Sequence, residues 1–330
     1  MGPSERSIPA AIALFFTAPL VAVFFLGNLS RSALPGLLAL APMYGAGALI
    51  IRELMRRYGR GWTGIFLLGA ACAIFEEGFV TQSLFNPASL APHLHHFDRT
   101  WIPVLHISLR RTLFVFNLHT FWSIAVSVAL VEALMPAHAK TPWLNRTGDW
   151  LACFVFAAGC VLAGVYTVRH SSFVASPLQF LLAGLLCLAL TVFAFRAAPV
   201  RPIRAVGPAP IPWFTGAVAF LLGATVLMMS HDRSWEAAAL IIAVDTVFFI
   251  IVSSLSRRGH WTALHTLSLA AGGVFALGLH ALIAHPPLGE EGLLVRLASL
   301  TFLAGVVPAV LAAVRRTSRF LNNPRQPLYR

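Results

Sequence analysis

Charge is what this sequence has least of. Only 11% of its 330 residues are Asp, Glu, Lys or Arg, against about 25% in an ordinary soluble protein. So little charge excludes a soluble globular domain, and an apolar content of 58% excludes disorder. Lysine is nearly missing: Lys140 stands alone among 24 basic residues. Cysteine is scarce as well. Cys72, Cys153, Cys160 and Cys187 all fall in apolar runs and form no C-x-x-C, so neither a disulfide framework nor a zinc site is implied. The chain has no P-loop, G-x-G-x-x-G, H-E-x-x-H or G-x-S-x-G, which removes the nucleotide, metalloprotease and serine-hydrolase readings that those motifs carry. The net charge of +12 would suggest nucleic acid in a soluble chain. Here the basic residues sit in short gaps between apolar runs, so nucleic acid is not expected as a partner.

What is present is a series of long apolar segments. Ten are long enough to cross a bilayer: 8–27, 33–51, 62–82, 112–135, 150–168, 176–195, 211–229, 235–255, 261–283 and 293–314. They are too long and too uniformly apolar for the alternating strands of a barrel. The expectation is an all-α, polytopic transmembrane bundle in which residues 1–330 form one integral membrane domain. Seventeen of the 24 basic residues fall on the side of the N-terminus and seven on the other, which places both termini in the cytoplasm. The first run exceeds a signal-peptide core and is read as an anchor. The longest extramembrane stretch runs from Ser83 to about Arg111, and the Pro- and Arg-rich segment 197–212 is the expected hinge between halves. Glycines inside the spans, such as Gly69, Gly272 and Gly278, are expected to let helices approach closely.

Among the twelve acidic residues, Glu76, Glu77, Glu132 and Asp245 lie inside spans, beyond the first or last two residues. A carboxylate at mid-bilayer costs about 2.5–3.5 kcal/mol on insertion scales, so each needs a partner or a wet cavity. Glu132, close to Pro136 and Lys140, reads as a helix-end residue at the cytoplasmic interface. Asp245 sits near the midplane with Thr246 as its polar neighbour. It is either an interhelical hydrogen-bonding group or an ion or proton site. Glu76 and Glu77 are ~7.5 Å or more inside the outer end of the third span. Neighbours on a helix are ~100° apart, so one is expected to face a cavity and the other a neighbouring helix. The pair suits a general base or a proton carrier, and an interfacial pair is the plainer alternative. His119 lies ~10 Å inside the fourth span, at similar depth. With Asn117, and His280 near the outer end of the ninth span, it can complete a hydrated polar pocket, or it can be a packing histidine. His93, His95, His96 and His106 in the outer loop could bind zinc or copper, or could simply be solvated.

Glu76–Glu77 in one span, followed by His119 in the next, resembles the glutamic intramembrane proteases of the CAAX-protease and bacteriocin-processing (CPBP) superfamily. Those are helical membrane bundles with E-E-x-x-x-R, F-x-x-x-H and H-x-x-x-N/D motifs. The resemblance implies that Glu76 activates a water and that His119 binds it or stabilises the oxyanion. The family's Arg falls on Thr81 and its Phe on Val115, between Phe114 and Phe116; His265 and His280 are followed four residues on by Leu269 and Ala284. The run Glu76–Pro87 also resembles a segment of uncharacterised bacterial polytopic membrane proteins.

Two functions remain open at this point. One is an intramembrane hydrolase using Glu76, Glu77 and His119. The other is a proton- or cation-coupled transporter using Glu76, Glu77 and Asp245. A non-catalytic assembly or sensor protein is a third class. No cofactor is indicated. The expected partners are the lipid bilayer and a membrane-embedded peptide or small solute. The preference for Arg over Lys points to a GC-rich bacterial genome and the inner membrane.

Overall fold

A helix overlaps each of the ten expected runs in this computed structural model, which describes residues 7–21, 34–86, 98–171, 173–197, 207–230, 232–283 and 293–323. In chain order they are α1 (Ile8–Pro19), α2 (Leu34–Arg57), α3 (Gly61–Val80), α4 (Leu109–Leu134) and α5 (Arg146–His170). Then follow α6 (Pro177–Arg196), α7 (Pro212–Met228), α8 (Trp235–Ser256), α9 (Ala263–Ile283) and α10 (Leu293–Leu321). Among the described residues, seven helices are long and apolar enough to cross a membrane: α2 to α6, α8 and α9. α1 and α7 are shorter apolar helices. The expected hinge falls largely on 198–206, outside the described residues.

Local chemistry explains several boundaries. Asn145, Ser176 and Ser234 each accept a backbone N–H of the first turn that follows, and Ser176 forms a reciprocal capping box with Gln179. Pro177 and Pro212 open α6 and α7, where a missing N–H costs nothing. α3 stops where Gln82 adopts φ 54°, and the Gln82 side chain then accepts from Ala175 N at 2.8 Å. Two ends run well past expectation. α10 continues to Leu321 rather than 314, and α2 to Arg57 rather than 51, so Arg52, Glu53, Arg56 and Arg57 are helical rather than part of a loop. Arg56 and Arg57 in the last turn face its carbonyl end, where cations are favoured.

Loops alternate between two ends of the bundle. At one end Arg60 reaches Ala197 O, Ala209 N donates to Gly259 O, and Arg316 donates to Leu134 O. At the other, Asn86 donates to Ser171, Arg99 N donates to Arg233 O, and Gln179 donates to Leu105 O. The first set is the side read as cytoplasmic from the charge bias. A small hairpin, β1 (Trp101–Ile102) and β2 (Ile107–Ser108), covers the other end, with His106 in its turn at φ 51°. Asp98 ties the base of this hairpin: it accepts from Thr100 and Ser108, and Arg110 lies 3.9 Å away. Burial works to raise the Asp98 carboxyl, but these hydrogen bonds and the guanidinium hold it below its ordinary range.

Helix α4 is the centre. Its most apolar window is 72% buried inside the protein, against 17% for α5, α6 and α8, whose apolar side chains face outward. Ile124, Val128 and Val131 of α4 pack with α1, α2, α3, α5 and α6, whereas Trp122, Val126 and Ala129 pack with α7, α8 and α9. Close approach relies on glycine at specific points. A Cβ on Gly272 of α9 would collide with the Gly216 carbonyl of α7. A Cβ on Gly45 of α2 would likewise collide with the Phe15 carbonyl of α1.

Candidate functional site

The last turn of α3, Glu76–Val80, and the middle of α4, Leu118–Val126, are π-helical. In the first, Thr81 N donates to Glu76 O, five residues back. Such segments recur at functional sites because the inserted residue re-aims side chains without ending the helix. Here the two π segments hold Glu76, Glu77 and His119.

The imidazole of His119 is wedged between the two carboxylates. Nε2 hydrogen-bonds Glu77 Oε1 at 2.9 Å, and Nδ1 lies 2.9 Å from Glu76 Oε2. The side chains of His119 and Glu76 are 4% and 3% exposed, and that of Glu77 15%. The Nδ1 contact is off the N–H axis. Glu76 Oε2 therefore has no well-directed hydrogen bond among the described residues, although it is fully buried. The expectation that one glutamate would turn to a different neighbour is corrected. A π turn winds less per residue than an α turn, and the two ring nitrogens point in different directions, so adjacent carboxylates reach one ring.

Sequence reasoning missed the residues around this trio. Tyr44 of α2 stacks on the His119 ring, with centroids 5.5 Å apart and planes 13° off parallel. Cys72 donates to Glu76 Oε1 at 3.5 Å, a one-turn spacing that was available as a signal. Thr81 donates to Glu77 Oε2 at 3.3 Å, and Arg111 interacts electrostatically with Glu77. Nothing in the sequence marks Tyr44.

Other expected members lie elsewhere. Asn117 does not join the glutamates. It donates to Leu113 O and to Asp245 Oδ2, both at 2.9 Å. Two residues on a helix are ~200° apart, so Asn117 and His119 face opposite sides of α4. Asp245 is thus partnered by Asn117, and Thr246 instead donates to Ile242 O. His280 is buried on α9, and none of the hydrogen bonds or ion pairs just described for the trio reaches it. Glu132 pairs with Arg52 and, through both oxygens, with Arg56 rather than standing at an interface near Lys140. Arg52, fully buried, also binds Glu53 and the carbonyls of His138 and Ala139, and lies over the Trp143 ring. Glu53 accepts from the backbone of Trp143 and Leu144. This knot ties α2, α4 and the segment before α5 together.

His93, His95 and His96 lie outside the described residues. Among the described residues no group of three His, Cys, Asp or Glu side chains could hold a metal. In the trio itself the ring sits between the carboxylates, where a shared ion would have to be.

A family model described as an uncharacterized membrane protein family matches residues 13–322. No curated protein and no solved structure matches the chain. The CPBP proteases are not the matching family, so the resemblance carried by Glu76, Glu77 and His119 gains no support from this comparison. With the match spanning nearly all of the chain and membrane-length helices inside it, this is a multi-pass membrane protein that belongs to that uncharacterized membrane protein family.

Proposed function

We propose that the protein is a membrane-embedded hydrolase that cleaves a peptide bond with a water activated by Glu76. The observation that carries this reading is the arrangement of the three side chains. Glu77 fixes the imidazole through Nε2, the imidazole stands beside Glu76, and one buried Glu76 oxygen keeps an unsatisfied lone pair. A base beside a donor that a third group orients is the general logic of activated nucleophiles. Glu76 would take a proton from water while the water oxygen bonds to the carbonyl carbon. Nε2–H is committed to Glu77, so the oxyanion would be met by the Nδ1–H of the doubly protonated ring. Collapse would break the C–N bond, and the proton held by Glu76 would pass to the leaving amine.

Transport needs Glu76, Glu77 and Asp245 along one path. Asp245 and Asn117 lie on the α8 side of α4, and the glutamates and His119 on the α3 side. That separation favours the hydrolytic reading. The preference for Arg over Lys supports residence in a bacterial inner membrane.

The test uses the full chain in nanodiscs with a pool of membrane-spanning peptides in H₂¹⁸O, read by mass spectrometry. Wild type is expected to cleave at least one peptide, each new C-terminus carrying one ¹⁸O. A wild-type protein that leaves the whole pool intact overturns the proposal.

A further inference from the structure

On the far side of α4 from the trio is a cleft formed with α7, α8 and α9. Phe121, Trp122, Val226, Val244 and Phe248 make much of its wall. Its polar members are Asn117 and Asp245, and among the described residues no Lys, Arg or His lines it. Asn117 donates to Asp245 Oδ2, whereas Asp245 Oδ1 accepts from no described residue. The cleft therefore offers an apolar, aromatic surface with one open carboxylate oxygen.

We infer that this cleft binds an apolar molecule bearing one protonated amine. An ammonium group would donate to Oδ1 and supply the cation that the lining lacks; a carboxylate in an apolar setting is costly until it is paired. The rings of Phe121, Trp122 and Phe248 would take the apolar body, with aromatic faces that also attract cations. A hard inorganic cation fits poorly. Calcium takes six to eight oxygen ligands and magnesium needs an octahedral set, and one carboxylate and one carboxamide in an apolar wall do not supply them. A neutral alcohol of the same shape would gain the apolar contacts without the charge-assisted hydrogen bond.

The probe is radiolabelled phenethylamine, measured against the full chain in nanodiscs, with 2-phenylethanol as its neutral counterpart. Saturable amine binding is expected, with the alcohol at least tenfold weaker. Asp245→Asn is expected to weaken the amine at least tenfold. Val226→Phe, which fills the cleft and keeps the carboxylate, is expected to do the same. If Asp245→Asn is not monodisperse, Val226→Phe and the alcohol decide. Amine uptake no greater than in empty nanodiscs, equal affinity for amine and alcohol, or unchanged binding to monodisperse Val226→Phe overturns the inference.

Discussion

Glu76→Gln is expected to slow peptide cleavage by roughly 10²–10⁴-fold, the range in which a positioned acid–base group contributes. Glutamine keeps the length and shape of the side chain. It also keeps an oxygen that can accept from Cys72, as Oε1 does at 3.5 Å in the native site. What it loses is the capacity to take a proton from water. The substitution also removes the ion pair with His119 Nδ1, while the ring keeps Glu77 on Nε2 and its stacking on Tyr44. A moderate fall in melting temperature should therefore accompany a collapse in rate. Equal rates for the variant and wild type would remove Glu76 from the chemistry.

Arg52→Leu is expected to cost stability rather than chemistry, by about 3–5 kcal/mol, as when one partner of a buried ion pair is removed. Arg52 is fully buried and serves Glu53, Glu132 and two backbone carbonyls at once. Leucine replaces the stem but leaves those four acceptors short of a donor. Glu132 retains Arg56, and Glu53 retains the Trp143 and Leu144 N–H groups, which limits the loss. The contrast is Arg57, paired with Asp149 at 2.6 Å but with side chains 34% and 28% exposed. An ion pair so open to solvent is worth about 0–1 kcal/mol. Thermal unfolding followed by tryptophan fluorescence should rank Arg52→Leu far below Arg57→Leu. Matching melting temperatures would mean that the knot around Arg52 does not hold α2 to α4.

The spans were legible because the bilayer demands an uninterrupted apolar run of fixed length, and no tertiary contact can hide that demand. Helix ends are less legible than spans. Arg52 and Glu53 cut the hydropathy of the second run, so the apolar run stops at 51. In the fold the two charges neutralise each other and their neighbours, and the helix continues to Arg57. Depth was legible too, since rise per residue converts position into distance, and it placed Glu76, Glu77 and His119 at one level. Azimuth was not. Asn117 shares that depth but faces Asp245, because which side of α4 meets which helix is set by packing against α3 on one side and against Gly273 of α9 on the other. The π turns were invisible for a similar reason: a hydrogen bond that slips by one residue leaves no mark in composition. Tyr44 reaches the site from a helix that carries no other polar signal at that level.

The most direct test of the central claim compares Glu76→Gln, His119→Gln and the double variant on one cleaved peptide, in nanodiscs, at matched folded fraction. Residues that act as one catalytic unit give strongly non-additive losses, because the first removal already disables the unit. The prediction is that each single variant falls to the same low rate and that the double variant falls no further. Losses that add in free energy, or single variants that retain the wild-type rate, would contradict the reading of Glu76, Glu77 and His119 as one water-activating centre.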